Sequence, residues 1–282
     1  MYEEMQQFET LVMSRRRWFD FNLREVWRYR DLILLMVKRS FTARYKQTLL
    51  GPAWAVIQPL LTTVVFTVIF GNIANLAAVG VPTFVFYMAG NIFWSYFSSC
   101  LTGTASTFTG NAALLSKVYF PRLVMPVTTV IANLIPFVIQ FGMFIVFLVI
   151  YICLGQIQPT FWMLITPLAL LQMALLAAGF GIIVSALTTK YRDLSYLVGF
   201  GVQLWMYASP IAYDIRIIPE ALMGAYMLNP ITPLIQTLRL GFLGVGSFDS
   251  LYYVLSWVVT LVVLFIGLVL FNHVEKTFTD TV

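Results

Sequence analysis

Apolar windows about 20 residues long recur through this chain, and that length lets a helix cross a hydrocarbon core of about 30 Å. Each window is too long for a strand and lacks period-two alternation. In lipid, every backbone N–H must also find its acceptor within its own segment, so helices are the only consistent solution. The sequence predicts an all-α membrane protein with six transmembrane helices, at 53–74, 83–105, 124–153, 161–187, 194–213 and 251–272.

The charges between these windows set the expected orientation. Ten of the 17 Lys/Arg residues precede the first span. Lys117 and Arg122 follow the second, Lys190 and Arg192 the fourth, and Lys276 the sixth, while the 75–82 and 154–160 loops carry none. By the positive-inside rule both termini are cytoplasmic and the 214–250 segment faces outward, in a multi-pass membrane protein. The net charge of +5 is then a topology signal and an attraction to anionic lipid, with no nucleic-acid footprint. Three regions are expected: a basic tail over 1–20 with Arg15–Arg17, an interfacial helix region over 21–50, and a six-helix transmembrane domain over 51–282. No cleavable signal peptide is expected, because the first fifty residues are charged and lack a short apolar core before a small-residue cleavage site. Cys100 and Cys153 fall at opposite ends of their spans, so they are read as unpaired packing residues.

Before the first span, Asp31 is placed to cap an amphipathic helix. Ile33, Met36, Val37, Phe41 and Tyr45 recur at three- and four-residue steps, with Lys38, Arg39 and Lys46 on the other side. Such a helix lies in the cytoplasmic interface, and Gly51-Pro52 lets the chain turn from along the membrane to across it. Two readings stand: a helix tied rigidly to the first span that moves with it, or a passive anchor whose cations enforce topology.

No Asp, Glu, Lys, Arg or His lies well inside any predicted span, which argues against an ion-coupled carrier. His273 is the only histidine and sits at the end of the sixth span, Asp193 and Asp214 are isolated carboxylates at span ends, and no catalytic or metal-ligating cluster is expected. The spans do carry rings and neutral amides. Trp54, Gln58, Thr62, Phe66 and Phe70 follow at four-residue steps in the first span, and Phe200, Gln203, Tyr207 and Asp214 form a comparable stripe in the fifth. Such a ridge serves ordinary helix packing, and it also suits a sugar chain, which offers C–H faces for stacking and hydroxyls for hydrogen bonding. These residues are the channel-lining candidates.

Two further segments stand out. Residues 98–111, SSCLTGTASTFTGN, lead into AALLSKVYFPR, read as a short cytoplasmic helix that exposes Tyr119 and Phe120 and stops at Pro121. Residues 217–245 are apolar but broken by Pro219, Pro230 and Pro233, with Arg239 in their midst. A pair of short helices, re-entering the outer leaflet or covering a cavity, fits that pattern.

The segment RDLILLMVKRSFTARYKQTLLGPAWAVIQPLLTTVVFTVIFGNIA, together with LLSKVYFPRLVMP, KYRDLSYL, SPIAYD and NPITPLIQTLR, resembles the membrane subunit of bacterial ABC polysaccharide exporters. Among these it is most similar to the Wzm-like permeases of O-antigen export. The resemblance implies a homodimer with a continuous channel, paired with two copies of an ABC ATPase, that moves an undecaprenyl-pyrophosphate-linked glycan out of the cytoplasm. ATP and Mg would sit on the partner, in keeping with the lack of a G-x-x-x-x-G-K-[ST] run here. It further implies that Ser116, Lys117, Val118, Tyr119, Phe120, Pro121 and Arg122 form the coupling helix docked on the ATPase. Arg44, Tyr45 and Lys46 would border the cytoplasmic entrance, and the segment holding Pro219, Pro230, Pro233 and Arg239 would form the periplasmic gate. Capsule or teichoic-acid export and, in a different class, a lipid-linked-glycan transferase are the competing expectations.

Overall fold

The computed structural model describes residues 23–46, 48–78, 80–111, 120–190 and 193–279, and every regular element among them is helical. A short helix α1 (Leu23–Arg28) runs into α2 (Arg30–Tyr45). After a tight turn at Gly51–Ala53 come α3 (Trp54–Phe66), which widens into a π-helical stretch over Thr67–Ile73, and α4 (Thr83–Ala105). Then follow α5 (Val124–Cys153), α6 (Thr166–Lys190) and α7 (Leu194–Tyr207). Two short helices, α8 (Glu220–Met227) and α9 (Ile231–Leu243), precede α10 (Ser250–Thr279).

Four stretches among the described residues are long and apolar enough to cross a membrane: Gly51–Ile73, Val124–Cys153, Phe161–Thr188 and Ser250–Asn272. The other two expected spans fall short for different physical reasons. Helix α7 is apolar but ends at Tyr207, giving 14 residues where 20 were expected, and a turn follows over 208–214. Helix α4 has the length, but Asn91 and a run of serines and threonines dilute its hydropathy. Sixteen of its 23 residues are buried, so it answers mainly to its neighbours rather than to lipid.

Helix α4 is the axis of the bundle, packed by α3, α5, α6, α7 and α9. Its rings knit those neighbours together: Phe93 contacts Phe137, Phe141 and Phe242, and Phe97 meets Trp205 edge-on at 5.2 Å. The most extensive pairing is α6 against α10, and glycine permits it. A Cβ on Gly179 would come within 2.9 Å of the Leu264 backbone, and one on Gly267 within 2.8 Å of the Gly179 carbonyl, so these two backbones meet without side chains between them.

A second cluster closes the end of the bundle where α2 packs on α5. Ile33, Met36 and Val37 bury against Phe120, Leu123 and Val124, as their helical spacing requires, while Lys38 and Arg39 stay exposed. Two expectations need correction here. Asp31 does not cap α2: the cap position is Tyr29 with no side-chain hydrogen bond, and Asp31 sits in the first turn, where its charge suits the helix dipole. Phe120, expected on the surface, is 4% exposed, because burying its ring with Ile33 and Met36 fastens α2 to the bundle. Residues 1–20 and Ser116–Tyr119, including Lys117 and Val118, lie outside the described residues. Cys100 is buried and Cys153 is exposed at the end of α5, so the packing role expected of both thiols fits only the first.

Candidate functional site

A cavity of about 510 Å³ opens between α3, α4 and α5, within the usual range for a small-molecule site. Arg44 and Tyr45, at the end of α2, stand at its mouth, with Arg44 exposed to solvent. Helix α3 contributes Trp54, Gln58 and Thr62 to one wall. Helix α4 contributes Asn91, Trp94, Ser95, Ser98 and Ser99, whose spacing of three, four and seven residues keeps them on one face. Helix α5 contributes Asn133 and Gln140, seven residues apart and therefore two turns, about 10 Å, along the same face.

Polarity here is neutral except at the mouth. Arg44 Nη2 donates to Asn133 Oδ1 at 3.2 Å, which fixes the end of α2 against α5. No Asp or Glu among the described residues lines the cavity. Asn133 Nδ2 donates within its own helix to the Thr129 carbonyl at 3.0 Å, whereas Asn91 Nδ2 is buried with no hydrogen-bond partner. Pro59 and Pro136 also lie on the wall. A proline inside a helix has no N–H, so the carbonyl four residues earlier loses its usual donor; for Pro59 that carbonyl belongs to Ala55, another wall residue. Amide side chains, serine hydroxyls and indole rings thus share the wall of one recess.

The stripes read from sequence divide. Trp54, Gln58 and Thr62 line the cavity, but Phe66 is buried against Phe70 and Tyr87, with ring centroids at 5.1 and 6.1 Å, in ordinary packing contact. Phe200, Gln203 and Tyr207 lie on the exposed face of α7, which reaches the cavity through Met206 instead. Asp214 leaves the stripe altogether: it follows α7 in a turn and pairs with Arg216. Lys46 is exposed next to the mouth without lining it, and Pro121 and Arg122 lie beside Phe120, away from it. Sequence reading missed Asn91, Asn133 and Gln140; the seven-residue spacing of two amides in the otherwise apolar run of α5 was the available signal.

On the other side of α4 a buried cation and a half-buried amide hold irregular backbone, while Arg239 Nε, Tyr87 Oη and Thr232 Oγ1 stay without a partner. Arg239, on α9, is 2% exposed and lies 3.7 Å above the centre of the Phe86 ring. Its Nη2 donates to the Ile211 carbonyl at 3.0 Å and its Nη1 to the Tyr213 carbonyl at 3.3 Å, tying the irregular 208–214 turn to α9 and α4. Pro219 and Pro230 occupy the N-cap positions of α8 and α9, and Pro233 lies in the first turn of α9, where a missing N–H costs nothing. Asn229, between the two helices, accepts from Trp205 Nε1 at 3.0 Å and from the Ile231 N–H at 3.2 Å, and donates to the Ala208 carbonyl at 3.0 Å and to Ser209 Oγ at 2.9 Å.

Residues 31–243, from the start of α2 to the end of α9 and including the whole cavity wall, match the family described as ABC-2 type transporter. The chain belongs to that family. Like other ABC-2 transporters it is an integral membrane protein. It is 28% identical over 251 residues to an O-antigen export system permease protein of Klebsiella pneumoniae, covering 89% of this chain and 94% of that one. It is 30% identical over 218 residues to the protein of the same description from Myxococcus xanthus, covering 76% and 81%. A polysialic acid transport protein of Escherichia coli is 25% identical over 243 residues, covering 84% and 91%.

Proposed function

We propose that this ABC-2 protein is the transmembrane subunit of an ATP-driven exporter that carries a lipid-linked polysaccharide of the O-antigen kind across the inner membrane. In this reading two copies form the pathway and two copies of a separate ABC ATPase, holding ATP and Mg, drive it. Both termini are cytoplasmic. Helices α4 and α7 complete six spans, α4 by its length and α7 with the turn that follows it, and α8 and α9 cover the periplasmic end.

The cavity is the observation that carries the proposal. Indole rings, neutral amides and serine hydroxyls around a recess with Arg44 at its mouth suit a saccharide joined to a phosphate. A proton-coupled carrier would need a titratable group there, and a transferase an acid, base or metal set. The relatives named for O-antigen export support the same cargo class, and the polysialic acid transport relative supports capsule-type glycan as the second reading.

The test is reconstitution with the partner ATPase in proteoliposomes. ATP-dependent movement of a lipid-linked glycan is expected, with neither hydrolysis nor movement from the ABC-2 chain alone. Hydrolysis by the chain alone, or glycan movement without ATP, would overturn the proposal. Coupling is assigned to the 116–122 loop, and because Phe120 is buried in the α2 cluster, Tyr119→Ala is the cleaner probe. Co-purification of the ATPase should fall in that variant while the membrane subunit stays folded.

A further inference from the structure

The cavity is graded from its mouth to its depth. Among the described residues Arg44 is the charged one on its wall, and its bond to Asn133 engages one of five guanidinium hydrogens, leaving others for an anion. About 10 Å further along α5 the wall includes Gln140, at the level where α4 packs Phe93 on Phe137 and Phe141, and its other polar groups include Asn91 on α4 and Thr62 on α3, neither of them charged. Asn91 is 6% exposed and Gln140 7%; ten buried side-chain polar atoms among the described residues have no hydrogen-bond partner, and of these Asn91 Nδ2 alone belongs to a residue of the cavity wall. An amide donor buried without an acceptor is costly unless something other than the chain supplies that acceptor.

A ligand that satisfies both ends must be anionic at one end. At the other it must be neutral, with hydroxyls that both donate and accept. A lipid tail at the deep end would leave Asn91 and Gln140 unpaired, and a second phosphate there would meet no cation. Trp54 and Trp94 also line the wall, and aromatic rings suit the C–H side of a sugar ring.

We propose that this cavity is a specificity site for a phosphorylated sugar unit, with Arg44 taking the phosphate at the mouth and Asn91 and Gln140 reading the ring hydroxyls at depth. The inference rests on the export reading and refines it: the sugar bonded directly to the lipid phosphate is inspected inside one protomer before the chain that follows it moves. Asn91 and Gln140 determine specificity, and Arg44 supplies affinity common to any glycan.

The test uses the complex of the ABC-2 subunit with its ATPase in nanodiscs and measures Kd by calorimetry for three probes. These are a short-prenyl diphosphate bearing one hexose, the same prenyl diphosphate without sugar, and free hexose 1-phosphate. The hexose-bearing probe should bind about tenfold tighter than the sugarless one, because a site built to hydrogen-bond hydroxyls rejects an analogue lacking them. Asn91→Ala and Gln140→Met should each remove most of that advantage and leave the sugarless probe unchanged, while Arg44→Gln should weaken both prenyl probes alike. The two amides lie on different helices, so if one variant fails to assemble the other still decides the matter.

Equal binding of the two prenyl probes by the unsubstituted complex would overturn the sugar site and leave the export reading standing. So would an advantage that survives Asn91→Ala or Gln140→Met in an assembled complex. Free hexose 1-phosphate binding as tightly as the hexose-bearing prenyl probe would remove the lipid-linked source from the proposal. Failure of both prenyl probes, with no ATP-dependent glycan movement in proteoliposomes, would bring down the export reading itself.

Discussion

Helix α4 presents two faces to two kinds of polar environment. On one, Gly90 lies against Arg239, where a Cβ would meet Nη2 at 3.1 Å, and both Nη atoms of that guanidinium donate to backbone carbonyls, although its Nε, Tyr87 Oη and Thr232 Oγ1 are enclosed by protein without a partner. Asn229 there makes four hydrogen bonds to three segments. On the other face, one residue later, Asn91 Nδ2 has no partner and lines a cavity. The first arrangement holds irregular backbone in place; the second leaves binding capacity to something outside the chain. Buried polar groups therefore have to be sorted by whether the protein satisfies them before any is assigned a function.

The largest expected effect tests that sorting directly. Asn229→Ala deletes four hydrogen bonds and should cost roughly 2–4 kcal/mol of stability at about 1 kcal/mol net each. Asn91→Ala removes a group whose Nδ2 is already unpaired, so it should stay within about 1 kcal/mol of the parent. Thermal unfolding of both variants in detergent measures the difference. Equal losses would erase the distinction between the two faces.

Next comes a change of volume. Ser98 donates only within α4, to the Ser95 carbonyl at 3.2 Å, and lines the cavity. Ser98→Leu should fill part of the recess and lower glycan export by tenfold or more, on the order of 1.4 kcal/mol in the barrier, with near-normal stability. Gly90→Val, on the opposite face, should do the reverse: it crowds Arg239 and Ile211, so the amount of folded protein falls before any specific loss of transport can be seen. Ser98→Leu with full export would show that the cavity lies off the path.

Why the two faces were unequally legible follows from the same chemistry. Long apolar runs announce helices because lipid allows little else, and the four most apolar windows stand as expected. Helix α4 is different, since it is enclosed by protein, so its composition records local contacts and not membrane depth. The three- and four-residue pattern of Ile33, Met36 and Val37 placed one face of α2 correctly, because burial follows helical phase. Phase alone could not say that Trp54 and Gln58 would border a void while Phe66 met Tyr87, because a stripe drifts around its helix and its neighbours decide what each residue meets. Asn133 and Gln140 carry meaning only once α4 stands opposite them.

A smaller effect concerns the mouth. Arg44→Gln with Lys46→Gln leaves eight other Lys/Arg residues before the first span, so insertion should be normal. If Arg44 engages phosphate, a charge-assisted contact of roughly 1.5–3 kcal/mol is lost and glycan loading should fall about tenfold. Most of the loss should appear in Arg44→Gln alone, because Lys46 is exposed without lining the cavity. Unchanged export in the double variant would reduce the end of α2 to an anchor.

The smallest expected effect lies beside the Arg239 and Asn229 contacts. Arg216 Nη2 and Nε both reach Asp214 Oδ2, the Nε at 2.9 Å, and the Arg216 N–H donates to Asp214 Oδ1 at 3.1 Å. The pairing holds the guanidinium in its charged form, through the hydrogen bond to Asp214 first and the carboxylate charge second. It looks stronger than anything Asn229 makes, yet the Arg216 side chain is 62% exposed, so water and salt screen it. Arg216→Gln should therefore cost no more than about 0.5 kcal/mol, and that difference should vanish in high salt. Asp214→Ala should cost somewhat more, about 1 kcal/mol, because it also deletes the side-chain acceptor for the Arg216 N–H at the start of the 215–217 turn. Thermal unfolding across a salt series checks both. A loss for Arg216→Gln as large as that for Asn229→Ala would mean that formal charge, and not enclosure, sets the strength of this end of the bundle, and the contrast between the two faces of α4 would have to be redrawn on that basis.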